Sequence, residues 1–488
     1  MLQNNTVKIK IKRSNNKDKP IFSIEEHKEL RNWLYTGSFD GSTLYSSGFD
    51  KSKINLVKRF CNASPSKVSD ILEEAYKRTL NKQSVIFCLV LLSNSGFRGK
   101  RIFKDFFERV IVSGKDLYTF MNLCKNERGM GSLIKDAVSH WFKSKDIHKL
   151  EKIFIRDRYG SNWKVSDVMK VIRPKPADKK ENLLYKWLSN NVEEIEDYKE
   201  VFPLIYIYEK MKFGTEELAI EAVREYGFRN NMIPSNVART ERLAEEIFVR
   251  RKIDQSIVEI GRYLNRLEVS ERLARYFEEN EENITLSSLK LLSAYSKIKN
   301  CMLIGNSFRI LNVVERSLIN KIKKTHDNYI HVVDTSNYML DDKLDFSEAS
   351  SAITSSVLIG ASKQVVSTDG SLFNKRTPRM ILEAEGYNVF NKILIPNYTD
   401  IFRKVSEFEG KVMIVWTNNK NFDKVDFNRE FQKFKTNNQR VMKIVFVNLN
   451  KERNKSAFRF IDIYKPNQDI DRLLKYIKEG LLWLKDKA

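Results

Sequence analysis

Cysteine is scarce in this chain: four in 488 residues, at positions 61, 88, 124 and 301, with no pair at CxxC spacing. That excludes a disulfide-stapled scaffold and a zinc ribbon, and it suits a reducing compartment. Long apolar runs are missing as well. The longest, Val85–Leu92, falls far short of the roughly 20 residues a membrane span needs. The basic stretch Lys8, Lys10, Lys12 and Arg13 has no apolar segment behind it, so no secretory signal is expected and the cytoplasm is the expected location. Histidine is limited to positions 27, 140, 148, 326 and 331. No HExxH, paired-carboxylate nuclease signature or Ser-His-Asp order is present, so a binding protein is expected rather than an enzyme. What is abundant is positive charge. Lys and Arg number 86 against 63 Asp and Glu, for a formal net charge of +23. Such an excess favours a polyanionic partner, most often nucleic acid. At 57.3 kDa the chain is too long for one core, and two or three domains are expected.

The charge is unevenly placed. Residues 325–488 carry a net +5, which leaves +18 on the first 324. That first part reads almost entirely as helices. Val68, Ile71, Leu72 and Ala75 fall at i, i+3, i+4 and i+7, and Ile102, Phe103, Phe106, Phe107 and Val110 repeat the pattern. Ser84–Leu92 is apolar all round, as in a helix buried between others. Further helices are predicted near 117–124, 131–142, 166–173, 181–189, 203–212, 215–225, 240–249, 255–266, 285–297 and 307–322. Turns at Asn94–Gly96, Ser113–Gly114, Gly129–Gly131 and Arg173–Pro176 separate them. Helix after helix with short turns resembles a stack of HEAT-type hairpins, although no repeat is visible in the letters.

Beyond residue 325 the pattern changes. Tyr329–Asp334, Gln364–Ser367, Lys392–Pro396, Val412–Thr417, Met442–Leu449 and Phe458–Tyr464 read as short strands, several of them continuous apolar runs of the kind found in parallel sheets. Helical segments near 346–361, 399–409, 426–437 and 469–485 alternate with them. This predicts a doubly wound α/β domain whose functional edge lies at the carboxyl ends of the strands.

The order of segments resembles the TROVE module of the Ro autoantigen family, which is followed there by a von Willebrand A-like domain. The likeness is carried by Arg31–Tyr45 (RNWLYTGSFDGSTLY), Ala137–Phe142 (AVSHWF), Arg158–Pro176 (RYGSNWKVSDVMKVIRPKP), Phe228–Ser235 (FRNNMIPS) and Ile253–Leu267 (IDQSIVEIGRYLNRL). It runs from about residue 21 to 488, behind a basic tail over 1–20, and implies a ring-like stack of HEAT-like helical repeats over 21–324 and a von Willebrand A-like α/β domain over 325–488. It also implies a ribonucleoprotein function. The ring would hold 3′ ends of structured or misfolded small noncoding RNAs, with a Y-like RNA on its outer face, in RNA quality control. An exoribonuclease would be tethered through the bound RNA, with the protein itself a monomer and no membrane involved. The competing reading is a protein-interaction scaffold that uses the α/β domain, with RNA binding incidental.

Candidate RNA contacts lie in two places. The segment 152–180 has nine basic residues, among them Arg156, Arg158, Lys164, Lys170, Arg173 and Lys175, interleaved with Phe154, Tyr159 and Trp163. Phosphates need cationic donors and unpaired bases need flat side chains; a solvated helix face is the bland alternative, and Trp163 reads as a core anchor. Arg98, Lys100, Arg101, Lys104, Arg128 and Lys135 would line the inner opening. In the α/β domain the resemblance implies a Mg²⁺ site from Asp334, Ser336 and Thr399. Here the pattern is degenerate. Tyr338 stands where the family has a second serine and Asn418 where it has an aspartate, which favours a vestigial, hydrogen-bonded loop over tight Mg²⁺ binding.

Overall fold

The computed structural model describes residues 22–40, 48–158, 162–237, 240–264, 268–301 and 303–324 of the first part. Of the second it describes 329–334, 339, 354, 355, 357, 364–368, 396–410, 412–417, 423–438, 442–449, 461–464 and 470–479. The first part is helical throughout: α1 Ile24–Thr36, α2 Ile54–Ala63, α3 Pro65–Arg78, α4 Lys82–Ser93, α5 Phe97–Val110, α6 Gly114–Glu127, α7 Ser132–Lys143, α8 Ile147–Arg156 and α9 Val165–Ile172. There follow α10 Lys179–Leu188, α11 Pro203–Met211, α12 Glu216–Tyr226, α13 Glu241–Val249, α14 Ile253–Ile260, α15 Glu271–Glu279, α16 Ser288–Lys299 and α17 Ser307–Lys324. Every helix predicted before residue 325 is present. Of those left unpredicted, α15 packs by Leu273, Ala274 and Phe277, a stripe too narrow to stand out from its charged surroundings.

Local chemistry explains the boundaries. Asn81 caps α4 by accepting from the Ser84 N–H, and every residue from Ser84 to Ser93 is buried, as an all-apolar helix requires. Ser113 and Asp116 form a capping box that opens α6. α5 turns Phe103, Phe106, Phe107 and Val110 inward, each worth about 1.5–3 kcal/mol when fully removed from water. Successive helices pack on near neighbours in the chain, α4 on α5 and α6, α5 on α7, α8 on α11, α12 on α13, α15 and α16 on α17. This is the nearest-neighbour logic of a helical solenoid.

The second part holds a parallel sheet: β1 Ile330–Val333, β2 Val365–Ser367, β3 Val412–Thr417, β4 Lys443–Asn448 and β5 Ile461–Tyr464, in the order β2-β1-β3-β4-β5. Of the predicted strand Lys392–Pro396, all but Pro396 lies outside the described residues. Helices α18 Tyr398–Ser406, α19 Lys424–Asn438 and α20 Ile470–Lys478 accompany the strands. Residue alternation sorts the two faces. Ile330, Val332, Met413, Val415, Ile444 and Phe446 pack with Phe402, Phe427 and Phe431 of α18 and α19. Val333, Ile414, Trp416, Val445 and Val447 belong instead to the larger core, together with Leu473, Leu474 and Ile477 of α20.

α20 also ties the second part back to the start of the first. Tyr476 Oη donates to the Arg78 carbonyl at the end of α3 at 2.8 Å, and its ring meets Tyr35 of α1 edge-on at 5.9 Å. The path of packed elements thus returns to its first helices. Among the described residues no helix is long and apolar enough to cross a membrane.

Candidate nucleic-acid interface

At one end of α4–α7 two turns meet. The α4–α5 turn runs through Ser93–Gly96, and the α6–α7 turn through Arg128–Gly131. Arg128 Nη1 donates to Ser93 Oγ at 3.1 Å and joins them. Gly129 has φ +81, a left-handed turn position that suits glycine. Gly99 lets α5 start hard against the preceding turn, since a Cβ there would lie 1.8 Å from Ser95 Oγ. This arrangement presents Arg98, Lys100, Arg101 and Lys104 on α5, and Lys135 on α7, as exposed side chains. The first three α5 positions fall within one turn, and Arg98, Arg101 and Lys104 repeat at i, i+3 and i+6 along one side. Among the described residues no carboxylate pairs with any of these five.

The segment 152–180 divides on inspection. Lys164, Lys170, Arg173 and Lys175 are exposed, and no carboxylate pairs with Lys170 or Lys175 among the described residues. Arg173 ends α9 in the left-handed region, φ 49 and ψ 56, and its Nε donates to the Lys170 carbonyl at 3.2 Å. Arg156 is half-buried and grips Asp157 with two hydrogen bonds of 2.7 and 3.1 Å. Arg158 requires a correction. Its side chain is 7% exposed, with the guanidinium 4.3 Å from the centroid of the Trp187 ring. It donates to Asn190 Oδ1 at 2.7 Å and to Glu209 Oε1 at 3.4 Å. It is a strut that joins the end of α8 to α10 and α11, not a contact for an outside phosphate. Phe154 is likewise buried and offers no face to a base. Tyr159 lies outside the described residues, and Trp163 packs partly buried against the core, as its anchor reading expected.

In the later helices most arginines are paired. Glu246 of α13, 4% exposed, accepts from Arg224, Arg272 and Arg250. Those three guanidiniums, Arg224 first, hold its carboxyl down to about 2. Arg309 bridges Glu271 and Glu278, Arg316 binds Glu281 and Arg251 binds Glu259. Near the N-terminus, Arg31, Lys53 and Arg59 are paired with Glu74, Glu29 and Glu26. Exposed cations without a carboxylate partner among the described residues thus sit together on α5, with Lys135 on α7 and others along the α9–α10 segment, whereas in the later helices most arginines are paired and the exceptions, such as Arg229 and Arg262, lie singly. The sequence alone does not separate the exposed cations of these segments from the buried Arg158, because pairing is set by contacts across helices.

At the sheet, Asp334 follows β1 and Thr417 ends β3, the strands that flank the point where strand order reverses. Asp334 is 2% exposed and accepts from the Thr417 hydroxyl at 2.8 Å. On β1, His331 Nδ1 accepts from Trp416 Nε1 at 3.0 Å, since an indole N–H only donates. Thr399 Oγ1 lies 3.5 Å from Glu430 Oε2, and Asp400 is committed to Arg403 at 3.0 Å. Ser336, Tyr338 and Asn418 fall outside the described residues. Asp334 and Thr417 are oxygen donors of the right kind for a hard cation, but they already satisfy each other. Among the described residues no group of three or more His, Cys, Asp or Glu side chains is gathered for a metal.

By sequence, neither a family model nor a curated protein matches the chain. By structure, it is similar to the Ro protein (RSR) of Deinococcus radiodurans at a TM-score of 0.74 and 12% identity, over 93% of this chain and 100% of that one. The resemblance read from the segment order thus has its counterpart in three dimensions: this chain has the fold of a Ro protein, a stack of helical repeats followed by a parallel α/β domain.

Proposed function

We propose that this chain is a Ro-like RNA-binding protein that holds single-stranded 3′ ends of structured or misfolded small noncoding RNAs. The observation that carries the reading is the set of exposed cations on α5, α7 and α9–α10 that have no carboxylate partner among the described residues, set against the mostly paired arginines of α12–α17. Counter-ions must neutralise such a surface, and a phosphate backbone does so with release of its own condensed ions. The left-handed Arg173 supports the same reading. A non-glycine residue held there costs about 1 kcal/mol, and strain of this kind gathers at working positions. The Ro fold agrees with the proposal.

In the fuller form of this reading, the protein acts as a monomer in the cytoplasm, without catalysis of its own. A Y-like RNA binds its outer basic face, an exoribonuclease is tethered through the bound RNA, and the complex serves RNA quality control. The Asp334–Thr417 contact acts as a hydrogen-bonded clasp at the sheet edge and does not depend on Mg²⁺.

Filter binding of a single-stranded RNA at rising salt tests the central claim. With about five phosphates neutralised, log affinity should fall with a slope near −3.5 against log salt, roughly 100-fold between 50 and 200 mM. A flat dependence would refute it.

A further inference from the structure

Phe97 opens α5 with its side chain 83% exposed, while Phe103, Phe106 and Phe107 of the same helix are buried. No ring or cation packs against it among the described residues. Single exposed apolar side chains are ordinary on protein surfaces, so exposure alone decides nothing. What distinguishes Phe97 is its surroundings. Arg98 follows it, Lys100 comes three residues on, and Arg101 stands one helical turn away on the same side. All three are exposed and without a carboxylate partner among the described residues. Arg128 is held to the same turn through Ser93. Phe213 makes the contrast. It is 93% exposed, but its neighbours Lys210 and Lys212 are paired with Glu196 and Glu209, which leaves no surplus charge for an anion.

A lone aromatic face inside an uncompensated cationic field matches a ligand that carries a flat apolar surface between closely spaced negative charges. Unpaired nucleotides have that chemistry, whereas a duplex hides its base faces in the stack. We propose that Phe97 is a base-stacking platform for an unpaired nucleotide, whose flanking phosphates rest on Arg98, Lys100 and Arg101. The inference rests on the RNA-binding reading above and names a contact within it.

The test uses the full chain, a fluorescein-labelled 12-nucleotide oligouridylate and a 12-base-pair RNA duplex as probes, and the variants Phe97→Ala and Phe97→Trp. Phe97→Ala should weaken single-strand binding roughly 5- to 150-fold, the span measured for loss of one base–aromatic stack. Its salt slope should not change, because no phosphate contact is lost. Phe97→Trp should bind within a few-fold of wild type, and duplex affinity should be the same in all three proteins. The thermal midpoint should also hold, since the removed side chain is exposed. Equal single-strand affinity of wild type and Phe97→Ala overturns the stacking role and leaves the RNA reading standing, as does an equal loss on single strand and duplex. A wild-type chain that binds neither probe overturns both.

Discussion

Truncating Arg158 to alanine separates a structural arginine from an RNA contact. The guanidinium stacks on Trp187 at 4.3 Å, and a desolvated cation–π contact of this kind contributes about 1–2 kcal/mol. Its hydrogen bond to Asn190 at 2.7 Å is charge-assisted and adds about 1.5–3 kcal/mol. Glu209 is not wholly orphaned by the change, since it keeps Lys212 and the Trp187 Nε1–H at 2.8 Å. The loss should therefore sit near the lower end of the range for a broken buried pair, about 3 kcal/mol. With a urea m-value of about 3 kcal/mol/M, the unfolding midpoint should fall by about 1 M. Tryptophan fluorescence reports it directly, because Trp187 is the residue uncovered. At low temperature, where the variant is folded, its RNA affinity should match wild type. An unchanged midpoint together with weakened RNA binding would refute the strut and return Arg158 to the RNA surface. A variant that reverses Arg156, Arg158 and Arg173 together cannot discriminate the two, because it unfolds one region while it recharges another.

Other outcomes follow from the same geometry. Reversing Arg98 and Arg101 to Glu should leave the thermal midpoint within about 1–2 °C, as expected for exposed unpaired charges, yet lower RNA affinity and reduce the salt slope by about 1.4; filter binding and calorimetry on the same samples check both. Arg173→Gly should gain stability from relief of its left-handed backbone, by up to about 1 kcal/mol, while binding RNA more weakly. Glu246 has its carboxyl depressed from 4.5 to about 2, so its contribution is fully present above pH 4.5 and is lost as pH falls towards 2. That contribution is about 3 kcal/mol, and Glu246→Gln should flatten the acid limb of a stability–pH curve by this amount. If the sheet edge is a hydrogen-bonded clasp, millimolar Mg²⁺ should not move the melting temperature. A Mg²⁺-dependent rise that disappears in Asp334→Asn would establish a metal site there instead.

What could be read in advance follows from which interactions are local. The helices α4 and α5 were legible because burial imposes a period on their letters: an all-apolar run for one, phenylalanines at i, i+3 and i+4 for the other. The sheet was legible for the same reason, through β3 and β4, whose residues are apolar on both faces. The candidate interface was only half legible. A net charge locates a basic region, but whether a cation is free depends on carboxylates far away in sequence: Arg158 meets Glu209, fifty-one residues on, and Arg309 meets Glu271, thirty-eight residues back. No spacing rule encodes such pairs. In the letters, Arg158 and Lys170 are alike, and only the folded chain makes one a strut and leaves the other facing solvent. The same limit hid Phe97, whose turn looks like any other until its neighbours are seen to have no counter-charge. In a basic helical-repeat protein, then, the composition points to the charge of a partner, whereas the candidate contact residues are those that remain after the intramolecular ion pairs are subtracted.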